Sequence, residues 1–376
     1  MPKKADETRE QASEREAIAA IGPEIGEKPL AWHDPREAPF RLAGFPWLAE
    51  EGVYRRLPRR PDHPIPPAVD ELANHTAGGQ IVFRTDSSAL TVQVRLSGPA
   101  NMNHMPATGQ CGFDCYLGPP GRQVYCNTAK YDHTQTSYSF AMFEGLAREM
   151  RDVTLIFPLY QGVEEVRIGL DRDAAVHAPP PYVFDRKIVI YGTSITQGGC
   201  ATRPGMAYPN ILSRRIDAEF VNLGFSGSGK GEAEVARLVA AVPDPGLLVL
   251  DYEANCVSPE RFRETLPAFI RIYREDHPDV PILVVSQIRF ARETYDRELR
   301  ELRLLRKSIQ IGTVNACRDR GDERISFFDG GELLGMDYHE CTVDGIHPTD
   351  LGFARMAEGL APAIRQHIRG CPESHP

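Results

Sequence analysis

The sequence predicts an α/β protein made of two domains. The second half is expected to form a flavodoxin-like, three-layer domain around a five-stranded parallel sheet, and an antiparallel β-sandwich or jelly roll is expected to precede it. Three observations lead to this expectation. Short alternating apolar runs fill the first half, consecutive prolines interrupt the chain at 179–181, and longer apolar runs then alternate with helical stretches.

The first half carries the pattern of short, half-buried strands. Apolar and polar residues alternate in several runs, and Gly, Pro, Asn and Asp separate them, as is typical of antiparallel sandwiches. We therefore expect residues 1–28 to be a flexible tail and residues 29–178 to form the sandwich. The predicted strands are QIVFRT (80–85), ALTVQVRL (89–96), CGFDCYLG (111–118), RQVYCN (122–127), VTLIFPL (153–159) and EEVRIGL (164–170).

The second half reads as alternating strands and helices. The proline-rich segment 179–186 is expected to be a stiff linker, because consecutive prolines continue neither a helix nor a central strand. Near-continuous apolar strands followed by helices indicate a parallel sheet covered on both faces, here over residues 187–371. The predicted strands are KIVIYG (187–192), EFVNLGF (219–225), LLVLDY (247–252), PILVVSQ (281–287) and ISFFDG (325–330).

Helix boundaries can be read at several positions of this half. A helix is predicted from Ser258, which can cap it, with Pro259 in its first position. Two more helices are expected to start at about Arg292 and about Thr349.

Composition and charge exclude some classes of binding partner. The chain has 376 residues and a formal net charge of −9, and it contains no basic stripe of the kind that nucleic-acid binding needs. No apolar run approaches the roughly 18 residues of a membrane helix, and the charged N-terminus lacks the apolar core of a secretory signal. We expect a cytoplasmic protein that binds a small molecule and neither nucleic acid nor membrane.

The cysteines leave a zinc site as an alternative. Cys111, Cys115 and Cys126 lie near His104 and His133 in the sequence, but no C-x-x-C pair is present. Buried thiols on strands are the simpler interpretation, so we expect neither a resident metal nor a cofactor.

Residues able to perform acyl transfer follow the strands of the predicted parallel sheet. Ser194 lies in GTSIT after the first strand, Gly227 ends NLGFSG after the second, and Asn255 ends DYEAN after the third. Asp344 and His347 lie in DGIHP after the fifth strand. Ligands bind at the carboxyl ends of such strands, so these side chains are expected to meet there.

Each of these residues has a role in such chemistry. Ser194 is the candidate nucleophile, His347 the base that removes its proton, and Asp344 the carboxylate that orients the imidazole. The backbone N–H groups of Ser194 and Gly227 and the side-chain amide of Asn255 are candidate donors of an oxyanion hole.

These motifs, in this order, resemble those of the SGNH (or GDSL) hydrolase superfamily over about residues 185–371. The resemblance implies an acyl-enzyme mechanism on Ser194, with Asp344 and His347 completing the triad. The upstream sandwich resembles the carbohydrate-binding-module-like domain of a two-domain subclass that includes carbohydrate esterases. The chain is also similar to GDSL acyltransferases that modify aromatic polyketides such as tetracyclines. Thr193 and Cys256 depart from the family pattern, which many members fill with Asp at both positions.

Other interpretations remain open at this point. Ser194 alone would more often be a helix cap, and DGIHP alone could be a turn. The stretch GFSGSGKG (224–231), followed by a strand ending at Asp251, resembles a phosphate-binding loop, but Gly231 stands where Ser or Thr would hold magnesium. A catalytically inactive glycan-binding protein is the third alternative.

The acyl acceptor is the least determined part of the prediction. We favour transfer to a hydroxyl of a bulky small molecule such as a polyketide, with an acyl-CoA as a candidate co-substrate, over hydrolysis of a carbohydrate or small-molecule ester. The chain contains 36 Arg and 7 Lys, a bias typical of GC-rich genomes such as those of actinomycetes, which often make antibiotics. The loop NMNHMP (101–106) is a candidate contact between the sandwich and the substrate.

Overall fold

The computed structural model describes residues 30–368. The predicted tail, 1–28, and the last three residues of the predicted range 187–371 lie outside the described residues. The strands are β1 Leu30–His33, β2 Arg41–Ala43, β3 Gln80–Thr85, β4 Leu90–Leu96, β5 Asp114–Leu117, β6 Val124–Thr128, β7 Ser137–Phe143, β8 Arg151–Ile156, β9 Val163–Asp171, β10 Val176–His177, β11 Phe184–Gly192, β12 Ala218–Gly224, β13 Pro245–Asp251, β14 Ile282–Val285 and β15 Ile325–Phe328. The α-helices are α1 Leu48–Glu51, α2 Pro67–Leu72, α3 Ala107–Cys111, α4 Ser194–Gln197, α5 Tyr208–Arg215, α6 Ala233–Ala240, α7 Pro259–Asp276, α8 Arg297–Asp319 and α9 Asp350–His367.

The first half forms two antiparallel sheets packed face to face. One sheet has the strand order β1-β9-β4-β7, and the other has the order β10-β3-β8-β5-β6 with β2 paired to β3. In β4 the side chains alternate, so that Val92 and Val94 are buried between the sheets while Gln93 and Arg95 face outward. The predicted antiparallel sandwich is confirmed.

Several details of this sandwich differ from the prediction, and the short strands β1, β2 and β10 were not predicted. The run 111–118 was expected to be one strand, but Cys111 ends the short helix α3 and only Asp114–Leu117 is extended. Pro106 at the start of that helix and Gly112 at its end delimit it. Strand β7 was not predicted, although its serines alternate with aromatic residues over Ser137–Phe140.

The second half contains a parallel sheet with the strand order β12-β11-β13-β14-β15. Along β11, Ile188 and Ile190 pack towards α5 and α9, whereas Val189 and Tyr191 pack towards α6, α7 and α8. Both faces are therefore covered by helices, and the predicted three-layer parallel domain is confirmed.

The helix starts follow the predicted capping chemistry with one shift. Ser258 accepts a hydrogen bond from the Arg261 amide at the start of α7, as predicted. Helix α8 begins at Arg297 rather than about Arg292, because Asp296 accepts a hydrogen bond from the Leu299 amide and caps the helix there. None of the helices within residues 30–368 is long and apolar enough to cross a membrane.

The two halves meet through buried polar groups. The fully buried Arg56 donates to the carbonyl oxygens of Asn222 (3.1 Å) and Gly224 (2.6 Å) at the end of β12. On β5, the buried Asp114 accepts hydrogen bonds from Arg203 (2.8 Å) and from the Gly205 amide (2.7 Å). The Arg56 bonds join the first half of the chain to the end of β12, and the Asp114 bonds join it to the segment that follows α4.

Candidate active site

The turn between β11 and α4 presents Ser194. Gly192 ends the strand, and a Cβ there would lie 1.9 Å from Thr196 Oγ1, so only glycine lets the helix fold back this closely. Thr193 caps the helix by accepting a hydrogen bond from the Ile195 amide at 3.2 Å. Ser194 is thereby held as the first helical residue, with 9% of its surface exposed.

Three of the predicted side chains form one hydrogen-bonded chain. Ser194 Oγ lies 2.8 Å from His347 Nε2, and His347 Nδ1 lies 2.7 Å from Asp344 Oδ2. An ionised carboxylate only accepts hydrogen bonds, so Nδ1 carries the proton and Nε2 is left to accept the proton of Ser194.

The carboxylate of this chain is fixed by its own turn. Asp344 Oδ1 accepts the backbone amides of Ile346 (3.0 Å) and His347 (2.8 Å), and Gly345 between them has a φ of +89°. Partial burial acts to raise the pKa of Asp344, but the hydrogen bonds from His347 and Ile346 outweigh it and hold that pKa below its usual range. Asp344 therefore stays ionised and keeps the imidazole in one orientation.

The predicted oxyanion-hole residues follow the strands on either side of β11. Strands β12 and β13 both pair with β11, and Gly227 and Asn255 lie three and four residues beyond their ends. Gly227 has a φ of +66°, and a Cβ built there would meet nothing within 4 Å, so the space beside it is open. Asn255 ends a 3₁₀ turn, and its buried Oδ1 accepts no hydrogen bond from a described residue.

Gln197 is a site residue that the sequence analysis missed. Its fully buried side chain accepts a hydrogen bond from the Ser226 amide (3.0 Å) and donates to the Leu159 carbonyl (3.1 Å). It therefore ties the helix of Ser194 to the residue before Gly227 and to the sandwich. Only its position, three residues after Ser194, could have drawn attention to it.

The sandwich contacts the nucleophile segment at further points. The Tyr160 hydroxyl donates to the backbone carbonyl of Ser194 at 3.2 Å. His75 Nδ1 lies 3.1 Å from Gln197 Nε2, and burial, assisted by Arg56, lowers the pKa of His75 to about 4. His75 is therefore neutral near pH 7 and can accept the Gln197 amide proton.

Asp251 supports the other side of the nucleophile helix. Its Oδ2 accepts hydrogen bonds from the hydroxyls of Thr196 (3.1 Å) and Tyr208 (2.7 Å). Burial raises the pKa of Asp251 to about 7. In the phosphate-binding alternative this residue would help to coordinate a magnesium ion. Here its Oδ2 instead accepts hydrogen bonds from two hydroxyls of the chain.

His104 and Cys200 lie beside the hydrogen-bonded chain. The His104 ring, from the sandwich loop 101–106, has its centroid 6.0 Å from that of His347. Cys200 is buried after α4 with a φ of 73°, and burial raises the pKa of its thiol to about 12. Within residues 30–368 the metal-competent group is His104, Cys200, Asp344 and His347, so His104 does not combine with Cys111, Cys115, Cys126 and His133 as in the zinc alternative.

Comparison with known proteins agrees with this arrangement. Residues 185–365 match the GDSL-like lipase/acylhydrolase family, and residues 30–176 match the N-terminal domain of SGNH-hydrolase-type esterases. A GDSL-like lipase from Bacteroides ovatus is 30% identical, with a TM-score of 0.84 over 92% of this chain and 99% of that one. The chain belongs to the GDSL-like lipase/acylhydrolase family. As a member of this family it is an acyltransferase or a carboxylic ester hydrolase.

More distant structures share the two-domain fold. The salicylyl-acyltransferase SsfX3 from a tetracycline biosynthetic pathway is 19% identical, with a TM-score of 0.72 over 90% of this chain and 99% of that one. A family two carbohydrate esterase from Cellvibrio japonicus is 15% identical, with a TM-score of 0.59 over 90% and 98% of the two chains. No match was found among curated protein sequences.

Proposed function

We propose that this GDSL-family enzyme transfers an acyl group through an ester on Ser194. The observation that carries the proposal is the continuous chain from Ser194 Oγ through His347 to Asp344, with separations of 2.8 and 2.7 Å. Such a chain activates a serine hydroxyl, which is otherwise a weak nucleophile.

The proposed reaction has two halves. Ser194 Oγ attacks the acyl carbonyl carbon while its proton passes to His347 Nε2, and Asp344 stabilises the resulting imidazolium. His347 then gives that proton to the leaving group as the acyl–oxygen or acyl–sulfur bond breaks. In the second half His347 deprotonates the acceptor, which attacks the acyl carbon, and His347 returns that proton to Ser194 Oγ as the bond between the acyl carbon and Ser194 Oγ breaks.

The negative charge of each tetrahedral intermediate needs donors already in place. We assign this role to the backbone N–H groups of Ser194 and Gly227 and to the Asn255 side-chain amide. Support comes from the open space beside Gly227 and from the Asn255 amide, whose buried oxygen accepts no hydrogen bond from residues 30–368.

We propose that the acceptor is a hydroxyl of a bulky small molecule, such as a polyketide in antibiotic biosynthesis, and that an acyl-CoA is a candidate donor in a cytoplasmic enzyme. The shared fold with a salicylyl-acyltransferase supports this proposal. The alternative is ester hydrolysis, which the shared fold with a carbohydrate esterase supports equally. Both reactions use the same triad, and they differ in whether water or an alcohol resolves the acyl-enzyme.

We also propose that the sandwich forms one wall of the substrate site. The loop 101–106 brings His104 to 6.0 Å from His347, measured between ring centroids, and Tyr160 bonds to Ser194. The substrate would therefore lie between the two halves, where ligand sites are frequent.

A product assay separates transfer from hydrolysis. The purified full chain is incubated with acyl-CoA and activated-ester donors, with and without polyhydroxylated aromatic alcohols, and products are identified by mass spectrometry. Transfer predicts an acylated alcohol and a higher donor turnover when the alcohol is present. If free acid is the only product with every alcohol tested, the enzyme is a hydrolase. Ser194→Ala is the blank in both cases.

A further inference from the structure

A group of metal-binding side chains surrounds the base of the proposed triad. One ligand atom from each of His104, Cys200, Asp344 and His347 lies within 4.8 Å of the others. They come from three distant parts of the chain: the sandwich loop 101–106, the segment after α4, and the turn before α9. The proposed acyl transfer uses Asp344 and His347 but gives Cys200 no task.

These side chains match the preferences of a soft divalent cation. Zn²⁺ binds thiolate sulfur and imidazole nitrogen at about 2.3 and 2.0–2.1 Å, which places tetrahedral ligand atoms about 3.3–3.7 Å apart. Since the ligand atoms lie within 4.8 Å of one another, the group would have to contract by at most about 1 Å. His104 can supply that movement because it lies on a partly exposed loop and its ring bonds only to the adjacent Asn103 among the described residues.

His347 is already oriented as a metal ligand. Metal-bound histidines usually donate their second ring N–H to a carboxylate, which fixes the tautomer and leaves the other nitrogen free to bind. His347 Nδ1 makes this bond to Asp344 Oδ2 at 2.7 Å, so Nε2 carries the lone pair. Without a metal this lone pair accepts the hydroxyl proton of Ser194 at 2.8 Å, and a bound cation would displace that hydrogen bond. The arrangement that prepares His347 to accept a proton therefore also prepares it to bind a cation.

We propose that Zn²⁺ binds His104, Cys200 and the Nε2 atom of His347, and thereby inhibits the enzyme reversibly. On binding, the Cys200 thiol releases its proton to solvent and its sulfur bonds to the metal. The lone pair of Nε2 is then occupied, so His347 can no longer take the proton of Ser194. The inhibitory effect rests on the proposed function, whereas the binding itself does not.

Binding is tested by calorimetric titration of the metal-free full chain with Zn²⁺. One ion per chain is expected. Cys200→Ala and His104→Ala should each weaken binding at least about tenfold, since each removes one of three ligands. Cys126→Ala serves as the control and should retain the affinity within about twofold. Ser194→Ala removes the hydroxyl that is hydrogen-bonded to Nε2, so it should not weaken binding. The proposal is overturned if Zn²⁺ does not bind, or if binding is unchanged in both Cys200→Ala and His104→Ala.

Inhibition is tested in parallel with an activated ester. Zn²⁺ should inhibit turnover, a chelator should restore it, and the inhibition constant should rise at least about tenfold in Cys200→Ala. If Ser194→Ala retains turnover, the proposed function fails while the calorimetric result still stands. If calorimetry shows the same affinity in every variant, the metal site fails while the triad still stands.

Discussion

Both halves of the molecule contribute residues to the candidate site, but these residues are positioned in different ways. The parallel sheet brings Ser194, Gly227 and Asn255 to adjacent positions because β12, β11 and β13 are neighbours whose ends share one edge. The sandwich contributes Tyr160 and His104 from loops that no sheet edge relates to one another. The first set is positioned by the topology of a single sheet, whereas the second is positioned by how two domains dock.

This contrast assigns different tasks to the two halves. In the proposed function, the residues at the sheet edge react with the acyl group. Residues of the sandwich hold the backbone around Ser194 and border the space where a substrate would lie. Variants of the sheet-edge residues should therefore affect the rate of the chemical step most, and variants of the interface should affect both rate and stability.

The largest graded effect is expected from Asp344→Asn. The amide retains the shape of the side chain but can donate to His347 Nδ1, which favours the wrong tautomer and leaves Nε2 protonated. We expect kcat on an activated ester to fall by about 10⁴. A nearly normal rate would mean that another group orients His347, and that Asp344 only shapes its turn.

Asn255→Ala should have the next largest effect. Loss of one oxyanion donor is expected to lower kcat by about 10²–10³ with little change in KM. The measurement is steady-state kinetics on the same ester, and Asn315→Ala, at an exposed position of α8, provides an unrelated Asn control. A raised KM with an unchanged kcat would instead make Asn255 a substrate-binding residue.

Arg56→Met tests the interface. Arg56 donates to four backbone carbonyls, of Leu72, His75, Asn222 and Gly224, and the last lies three residues before Gly227. We expect the free energy of unfolding to fall by roughly 3–5 kcal/mol, because methionine leaves these buried acceptors unpaired, and kcat to fall by up to about 10² through misplacement of the loop.

Arg55→Met is the matched control for that prediction. Arg55 is also buried, but its partners Leu57, Asp70 and Asn74 all belong to the first half of the chain. This variant should lose stability while its kcat stays within about threefold of the wild-type value. Equal losses of kcat in both variants would show that the interface does not position the loop specifically.

Asp251→Asn should change the pH dependence of the free energy of unfolding more than it changes kcat. Burial raises the pKa of Asp251 from 3.8 to about 7, so the folded state holds a proton that the unfolded state releases. The free energy of unfolding of the wild type should therefore fall as the pH rises from about 4 to about 7, by up to about 4 kcal/mol from this group. Chemical denaturation at several pH values measures this fall, and Asp251→Asn should lack the part of it that Asp251 contributes. Parallel profiles for the two proteins would mean that Asp251 does not titrate in this range.

The sheet-edge residues could be predicted from sequence because their positions follow from local rules. Apolar strands and the residues just after them indicate which side chains share an edge, which predicted the position of Ser194. Asp344 and His347 lie 16 and 19 residues beyond the end of β15, and the DGIHP motif in that loop indicated them. Their 2.8 and 2.7 Å separations are the detail that only the structure supplies.

The supporting residues could not be predicted in the same way. Gln197 is an ordinary helix residue until its partners Ser226, Leu159 and His75 are known, and these come from both halves of the chain. Arg56 lies in a loop among other arginines, where nothing in the pattern indicates that it is fully buried. Docking of two domains depends on shape and on polar groups distant in sequence, which periodicity does not encode.

Reaction of the full chain with a serine-directed phosphonate, followed by peptide mass spectrometry, tests most directly whether Ser194 is the activated nucleophile. We expect one phosphonate per chain on the peptide that contains Ser194, no reaction in Ser194→Ala, and loss of ester turnover in proportion to labelling. Labelling should also slow strongly in Asp344→Asn, because the activation of Ser194 depends on His347 in its correct tautomer. Full ester turnover in Ser194→Ala, or labelling at another serine with parallel loss of activity, would contradict the assignment.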